Sequence, residues 1–249
     1  MTYSIVARDG ATGHLGVAVA SRFFAVGALV PHIGAGRCAV ATQAFVNPLW
    51  GIEAAQRMAQ DEPASDVLAD LVTRDAGQSQ RQIHMLDTFG RGAAHTGAEC
   101  IDWAGHLLGQ GVSVAGNMLA GAKVIEATLA AYEAGTGIPF TERLLAAMEA
   151  GEAAGGDKRG RQSAALRIHR GEDYPWLDLR ADDHADPLAE LRRLLDIAGE
   201  RYLHVADAMP TRANFSGVTD RSDLDRRIAE AEAQRHAQDR RSRSNATPA

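Results

Sequence analysis

Thr2 is a residue that can do chemistry on its own terms. Methionine is commonly removed where a small residue follows it. Loss of Met1 would leave Thr2 with a free α-amine of pKa about 8, a usable base at neutral pH. Hydroxyl and amine on one residue form a nucleophile with its own general base. In the plainer reading Thr2 is a β-branched residue that starts a strand. Ser4 falls on the same strand face two residues on. It is a second candidate nucleophile, or a hydrogen-bond partner for the same substrate.

Acyl transfer also needs donors aimed at a developing oxyanion. Backbone N–H groups from Ala44 to Asn47 lie between a strand and a helix. Gln43 and Asn47 add side-chain amides, and Asn117 is a comparable amide after a later strand. Each of these residue types also serves in turns and caps. A competing cluster is Asp182-Asp183-His184-Ala185-Asp186. Carboxylates and imidazole so close could ligate a metal, and a metal-dependent hydrolase is therefore one alternative. Asp186 before Pro187 already suits a helix N-cap, and no second His-rich segment completes a site. No metal is expected. His84, His95 and His169 sit within strands and read as structural. A nucleophile elbow, a P-loop, a dinucleotide fingerprint and zinc spacing are all missing, so no cofactor is expected either.

These residues need strands and helices to position them. Thr2 to Arg8 alternates as a strand, Asp9 to Gly13 is a turn cluster, and Leu15 to Ser21 is a nearly all-apolar second strand. Cys38 to Ala44 is a small-residue strand, with helices from Leu49 to about Gln60 and from Pro63 to about Asp75. Arg81–Asp87 and Gly92–Thr96 form a hairpin, and Val112–Asn117 is a further strand. Helices follow from about Gly121 to Ala134 and from Thr141 to Ala153. Gln162–His169 and Leu177–Ala181 are a last strand pair, and a helix opens at Asp186-Pro187. Helices thus come in pairs between blocks of strands, which is not βαβ alternation. The expected fold is α+β, a four-layer αββα sandwich of two antiparallel sheets. Residues 1–200 make that domain, and 201–249 a helical extension with a charged tail.

Composition narrows the function. The chain has 249 residues, a formal net charge of −6 and 45% hydrophobic residues. That is ordinary globular composition, and the negative balance argues against a nucleic-acid surface. Cys38 and Cys100 make no disulfide framework. No apolar run reaches the length of about 20 residues that a membrane helix needs, and Arg8 and Asp9 interrupt any signal-like start. A cytoplasmic protein is expected, and a homo-oligomer on the general prevalence of symmetric assemblies. Lys123 and Lys158 are the only lysines, so the other 24 of the 26 basic residues are arginine.

The element order resembles the N-terminal nucleophile (Ntn) hydrolases, proteasome β-subunits among them. The motifs are more specific. Thr2-Tyr3-Ser4-Ile5-Val6-Ala7-Arg8-Asp9, the run Gly16 to Gly27, Ala41-Thr42-Gln43-Ala44, Asn47-Pro48, Trp103-Ala104-Gly105, Gly116-Asn117 and Gly160 to Leu166 resemble the uncharacterised family called domain of unknown function 1028. The resemblance spans about residues 2–195. It implies an Ntn-type αββα fold without naming a substrate. Proteasome subunits place an Asp at the end of the second strand and a Lys nearby; here Ser21-Arg22 stands at that strand end and no lysine precedes Lys123. Arg22 does not replace a basic amine, because guanidinium keeps its proton, but it could hold a substrate carboxylate. Asp157 matches the acid of the Asp-x-x-Ser/Thr-Gly-Gly motif, which implies a role beside the α-amine. Gly160 replaces its hydroxyl residue. Gln162 and the displaced Ser163 are carried as substrate contacts. The expected activity is hydrolysis of an amide in a small molecule or short peptide. The missing lysine and hydroxyl favour the other alternative, a non-catalytic binding or assembly protein.

Overall fold

The computed structural model describes residues 2–246. The chain forms ten strands: Thr2–Arg8 (β1), Leu15–Ser21 (β2), Pro31–Gly34 (β3), Cys38–Ala44 (β4), Arg81–Asp87 (β5), Gly92–Thr96 (β6), Gly105–Gly109 (β7), Val112–Asn117 (β8), Ser163–His169 (β9) and Leu177–Ala181 (β10). The helices are Pro48–Met58 (α1), Ala64–Arg74 (α2), Lys123–Ala134 (α3), Phe140–Ala153 (α4), Pro187–Ala198 (α5), Tyr202–Ala206 (α6) and Arg221–Ala237 (α7).

The strands form two antiparallel sheets, one ordered β10-β9-β2-β1-β8-β7 and the other β3-β4-β5-β6. β1, β2 and β8 face β4 and β5 across the interior. Helices α3, α4 and α5 cover the outer face of the larger sheet, and α1 and α2 that of the smaller. This is the four-layer arrangement expected from paired helices between strand blocks. β3 and β7 were not anticipated. Both are edge strands of four or five residues, and β7 is half exposed, so neither carries a strong apolar alternation.

Period-two alternation divides the core into three layers. Tyr3, Ile5, Ala7, Ala18 and Val114 point at α3–α5. Cys38, Val40, Ile83 and Met85 point at α1 and α2. Between the sheets lie Val6, Val17, Val19, Ala39, Ala41, Leu86 and Ala165. Small residues there let the sheets approach. At one end this middle layer turns polar, with Thr2, Ser4, Ser21, Gln43, Gln82, His84, Ser113 and Asn117 all buried. Gly34 packs under α1, where a Cβ would stand 2.1 Å from the Ala55 carbonyl oxygen. After α5 the chain continues through α6 to α7, whose Arg235 pairs with Asp196 and Glu200 at the end of α5. Among the described residues no helix is long and apolar enough to cross a membrane.

Candidate functional site

Thr2 opens β1 in the centre of the larger sheet, paired with Asn117 of β8 on one side and next to the Tyr3–Ala20 pair of β2 on the other. Its Oγ1 lies 3.2 Å from Ser21 Oγ at the end of β2. Thr2 is 6% exposed and lines a cavity of about 60 Å³ with Phe23, Val26, Leu29, Val30, Gln43, Ala44 and Val46. The strand ends around this cavity are bent. Ala44 follows β4 in the left-handed region with φ 70°, Met118 follows β8 with φ 52°, and Ala25 sits in the loop after β2 with φ 52°. Non-glycine residues held there cost about 1–3 kcal/mol each and gather at functional sites.

Behind Thr2 the polar end of the middle layer is a single hydrogen-bonded chain whose proton directions follow from two backbone carbonyls. Gly105 and Gly116 oxygens only accept, so the Gln82 amide nitrogen faces them, at 3.1 and 2.8 Å. Gln82 Oε1 therefore accepts, from Gln43 Nε2 at 2.9 Å and from Asn117 Nδ2 at 3.0 Å. Gln43 Oε1 is left to accept the Ser4 hydroxyl at 2.7 Å. Ser4 has one proton and has spent it. His84 Nε2, 2.8 Å away, must donate to Ser4, and its Nδ1 accepts from Ser113 Oγ at 2.9 Å. Burial holds the His84 imidazole neutral, pushing its pKa down to about 3, and His106 adds to the effect. Ser4 and His84 thus have the spacing of a nucleophile and its base with the proton running the opposite way. Ser4 is also wholly buried, so no substrate reaches it in this conformation.

The structure brings Thr2 and Asn117 of the larger sheet and Gln43 of the smaller to one end of the sandwich, and leaves other candidates apart from the cavity lining. Asn47 is the N-cap of α1, accepting from Leu49 N, and its amide donates to Asp75. Asp157 is buried and accepts from the backbone N–H groups of Arg22 and Arg159, both at 2.8 Å. Arg22 is exposed and donates from Nη1 to the Arg159 carbonyl. Gln162 donates from its backbone to Ser21 O and from its side chain to Asp183. Ser163 Oγ accepts from Val26 N and donates to Phe23 O, so it pins the loop that walls the cavity. Gln82, Ser21 and Ser113 were not singled out as site residues from the sequence. Their signal is a polar residue on the inward phase of an otherwise apolar strand. The Gln82-x-His84 spacing in β5 is one case.

The Asp182–Asp186 cluster is divided among other partners. Asp182 pairs with Arg180, Asp183 accepts from Gln162, His184 Nδ1 accepts from the Asp186 backbone N–H, and Asp186 caps α5 and pairs with Arg161. Among the described residues no group of three His, Cys, Asp or Glu side chains is placed to hold a metal ion.

No curated protein matches the chain. Anbu, the ancestral beta-subunit from Yersinia bercovieri, aligns over 84% of this chain and 98% of its own at 10% identity, with a TM-score of 0.38 that is too low to carry an argument. A crystal structure of a DUF1028-family protein from Silicibacter pomeroyi is 31% identical, covering 88% of this chain and 96% of that one, with a TM-score of 0.81. The model of the family described as "Family of unknown function (DUF1028)" matches residues 2–191, a span that takes in both sheets and the whole Thr2 edge. On that match this chain belongs to the DUF1028 family.

Proposed function

We propose that the protein is an N-terminal-nucleophile hydrolase that cleaves an amide bond in a small molecule or short peptide. The observation that carries this reading is the place of Thr2: its hydroxyl opens the central strand at the rim of a cavity, among strand ends held in left-handed turns. The reading requires removal of Met1. Thr2 Oγ then attacks the carbonyl carbon, and its proton passes to the α-amine, directly or through one water. The tetrahedral intermediate expels the amine, which takes the proton back from the ammonium. Water attacks the acyl-threonine ester by the same route in reverse and regenerates the free hydroxyl. Such proton transfer is typically worth about 10²–10⁴-fold. Asn117 and the backbone after Ala44 are the proposed oxyanion donors, and Arg22 a contact for a substrate carboxylate.

A retained Met1 in active protein, read by intact mass, would sink this mechanism. So would undiminished amidase activity in Thr2→Ala. A positive result is an acyl adduct on the peptide that begins at Thr2. The second reading is a non-catalytic binding protein of the same fold. It is supported by Ser21-Arg22 standing where the proteasome pattern has an acid, with no lysine before Lys123. It predicts no hydroxylamine-labile ester on Thr2 with any acylating reagent.

A further inference from the structure

The cavity beside Thr2 has a composition and a size that constrain what it can take. Thr2 and Gln43 are its polar members, and the other lining residues, Phe23, Val26, Leu29, Val30, Ala44 and Val46, are apolar. Among the described residues no charged side chain lines it, so a carboxylate or ammonium placed there would lose its water without a charged side chain to pair with. Its volume is about 60 Å³. A cavity of about 150 Å³ takes benzene, so this one holds on the order of two to three carbon atoms. Its walls are backed by packed structure. Val26 and Val30 belong to the middle core layer and are almost fully buried. Ser163 ties both Val26 N and Phe23 O to β9. In the same segment Gly27 is so close to β9 that a Cβ would stand 2.4 Å from that of Ala165. On the Val26–Val30 side the loop has no room to fall back for a larger guest.

We propose that this cavity is an acyl pocket, and that the substrate class is an amide of a short, uncharged aliphatic acid with two to four carbons counting the carbonyl. The inference rests on Thr2 being the nucleophile, since the carbonyl must sit at Thr2 Oγ for the acyl chain to enter. The leaving amine then lies toward the exposed side, where Phe23 and Arg22 stand.

The test uses the full chain with Met1 removed and a series of p-nitrophenyl esters: acetate, propionate, butyrate, isobutyrate, hexanoate and the charged monosuccinate. In each, an ester bond to Thr2 Oγ forms as p-nitrophenolate leaves, and water later releases the acid. Nitrophenolate gives the rate. Mass spectrometry of the N-terminal peptide, quenched and digested in acid so that the acyl group does not migrate from Oγ to the α-amine, gives the position, and lability to hydroxylamine distinguishes an ester on Oγ from an amide on the α-amine. The acylation rate is expected to rise by about fourfold for each methylene that fits, through butyrate, following the transfer free energy of a methylene. It should then fall by tenfold or more for hexanoate and monosuccinate. Leu29→Ala, at the half-buried side of the pocket, should restore hexanoate by at least tenfold relative to butyrate. Val46→Ala is a second variant with the same expected direction. Oγ adducts that form at equal rates along the whole series overturn the pocket and leave the nucleophile standing. No hydroxylamine-labile adduct with any ester overturns the nucleophile reading and this inference with it.

Discussion

Substituting His84 by Gln should remove a defined share of the protein's sensitivity to acid. The imidazole is wholly buried between the sheets, with its pKa pushed down to about 3 chiefly by burial. In the unfolded chain a histidine titrates at about 6.5. Because the folded value is the lower one, protons bind the unfolded state more tightly. The stabilising effect is full above pH 6.5 and is lost as pH falls towards 3. Each pH unit in that window removes about 1.4 kcal/mol, so lowering the pH from 7.5 to 4.5 costs roughly 3 kcal/mol through this one group. His14, His32, His106 and His169 are also shifted down by burial, so acid destabilises the protein through several groups at once. The informative quantity is a difference. Urea unfolding of wild type and His84→Gln is measured at pH 7.5, 6.0, 5.0 and 4.5. The variant starts lower, because Gln cannot reach both Ser4 and Ser113, and an unmet buried partner costs about 1–3 kcal/mol. The difference between the two proteins should then move by about 3 kcal/mol in favour of the variant at pH 4.5, which closes the gap or reverses it. Parallel curves over the whole range would refute the assignment of His84 as a neutral, buried link.

Three further outcomes follow from the same contacts. Ser4→Ala leaves His84 Nε2–H and Gln43 Oε1 without their shared partner; it should lose about 2–4 kcal/mol in denaturant unfolding, while any hydroxylamine-labile acyl adduct stays on Thr2. Asp157→Asn keeps one acceptor where two backbone N–H groups need it, and a loss of about 1–3 kcal/mol is expected by the same measurement. Gly34→Ala forces a Cβ against the Ala55 carbonyl and Cys38 Sγ; it should cost about 1–3 kcal/mol in denaturant unfolding.

The strand pairs that carry the core are legible because their residues are small or apolar almost throughout, as strands covered on both faces require. β1 and β2 run six and seven buried residues each, and β4, β5 and β8 do nearly the same. Asp186-Pro187 and Asn47-Pro48 announce their helices because the side chain and the missing N–H both suit a helix start, and both asparagine and aspartate act as caps here. β3 and β7 have only one sheet neighbour each and little apolar content, so no pattern marks them. Of the site, the resemblance implies that Gln43, Asn47 and Asn117 lie at strand ends on one edge; Asn47 instead caps α1. Gln82, which links the Gln43 and Asn117 amides, could not be placed in this way. Its role depends on the register of β5 against β8, where it meets Gly116 O, and on β7, whose Gly105 supplies the other carbonyl. Register between sheets is a tertiary fact that alternation within one strand does not contain.

The contrast between Thr2 and Ser4 shows why residue type and spacing alone underdetermine chemistry. Both hydroxyls point to the same side of β1, and two residues of strand separate them by only about 7 Å. That step carries the hydroxyl from the cavity rim into a layer sealed by both sheets. Ser4 has a histidine within 2.8 Å, the partner a nucleophile would want, whereas Thr2 has a serine at 3.2 Å. Judged by partners alone, Ser4 would be the better candidate. Two backbone carbonyls reverse that judgement. They orient Gln82, Gln82 orients Gln43, and Gln43 takes the Ser4 proton, so His84 is left as donor and cannot act as base. For the pair to work as a catalytic dyad, His84 would have to shift its proton to Nδ1 and Ser4 turn its hydroxyl away from Gln43, leaving a buried amide oxygen unmet. Thr2 faces no such obligation to the network. On the proposed reading the base it needs is its own amine, which removal of Met1 would create beside the cavity that Thr2 lines.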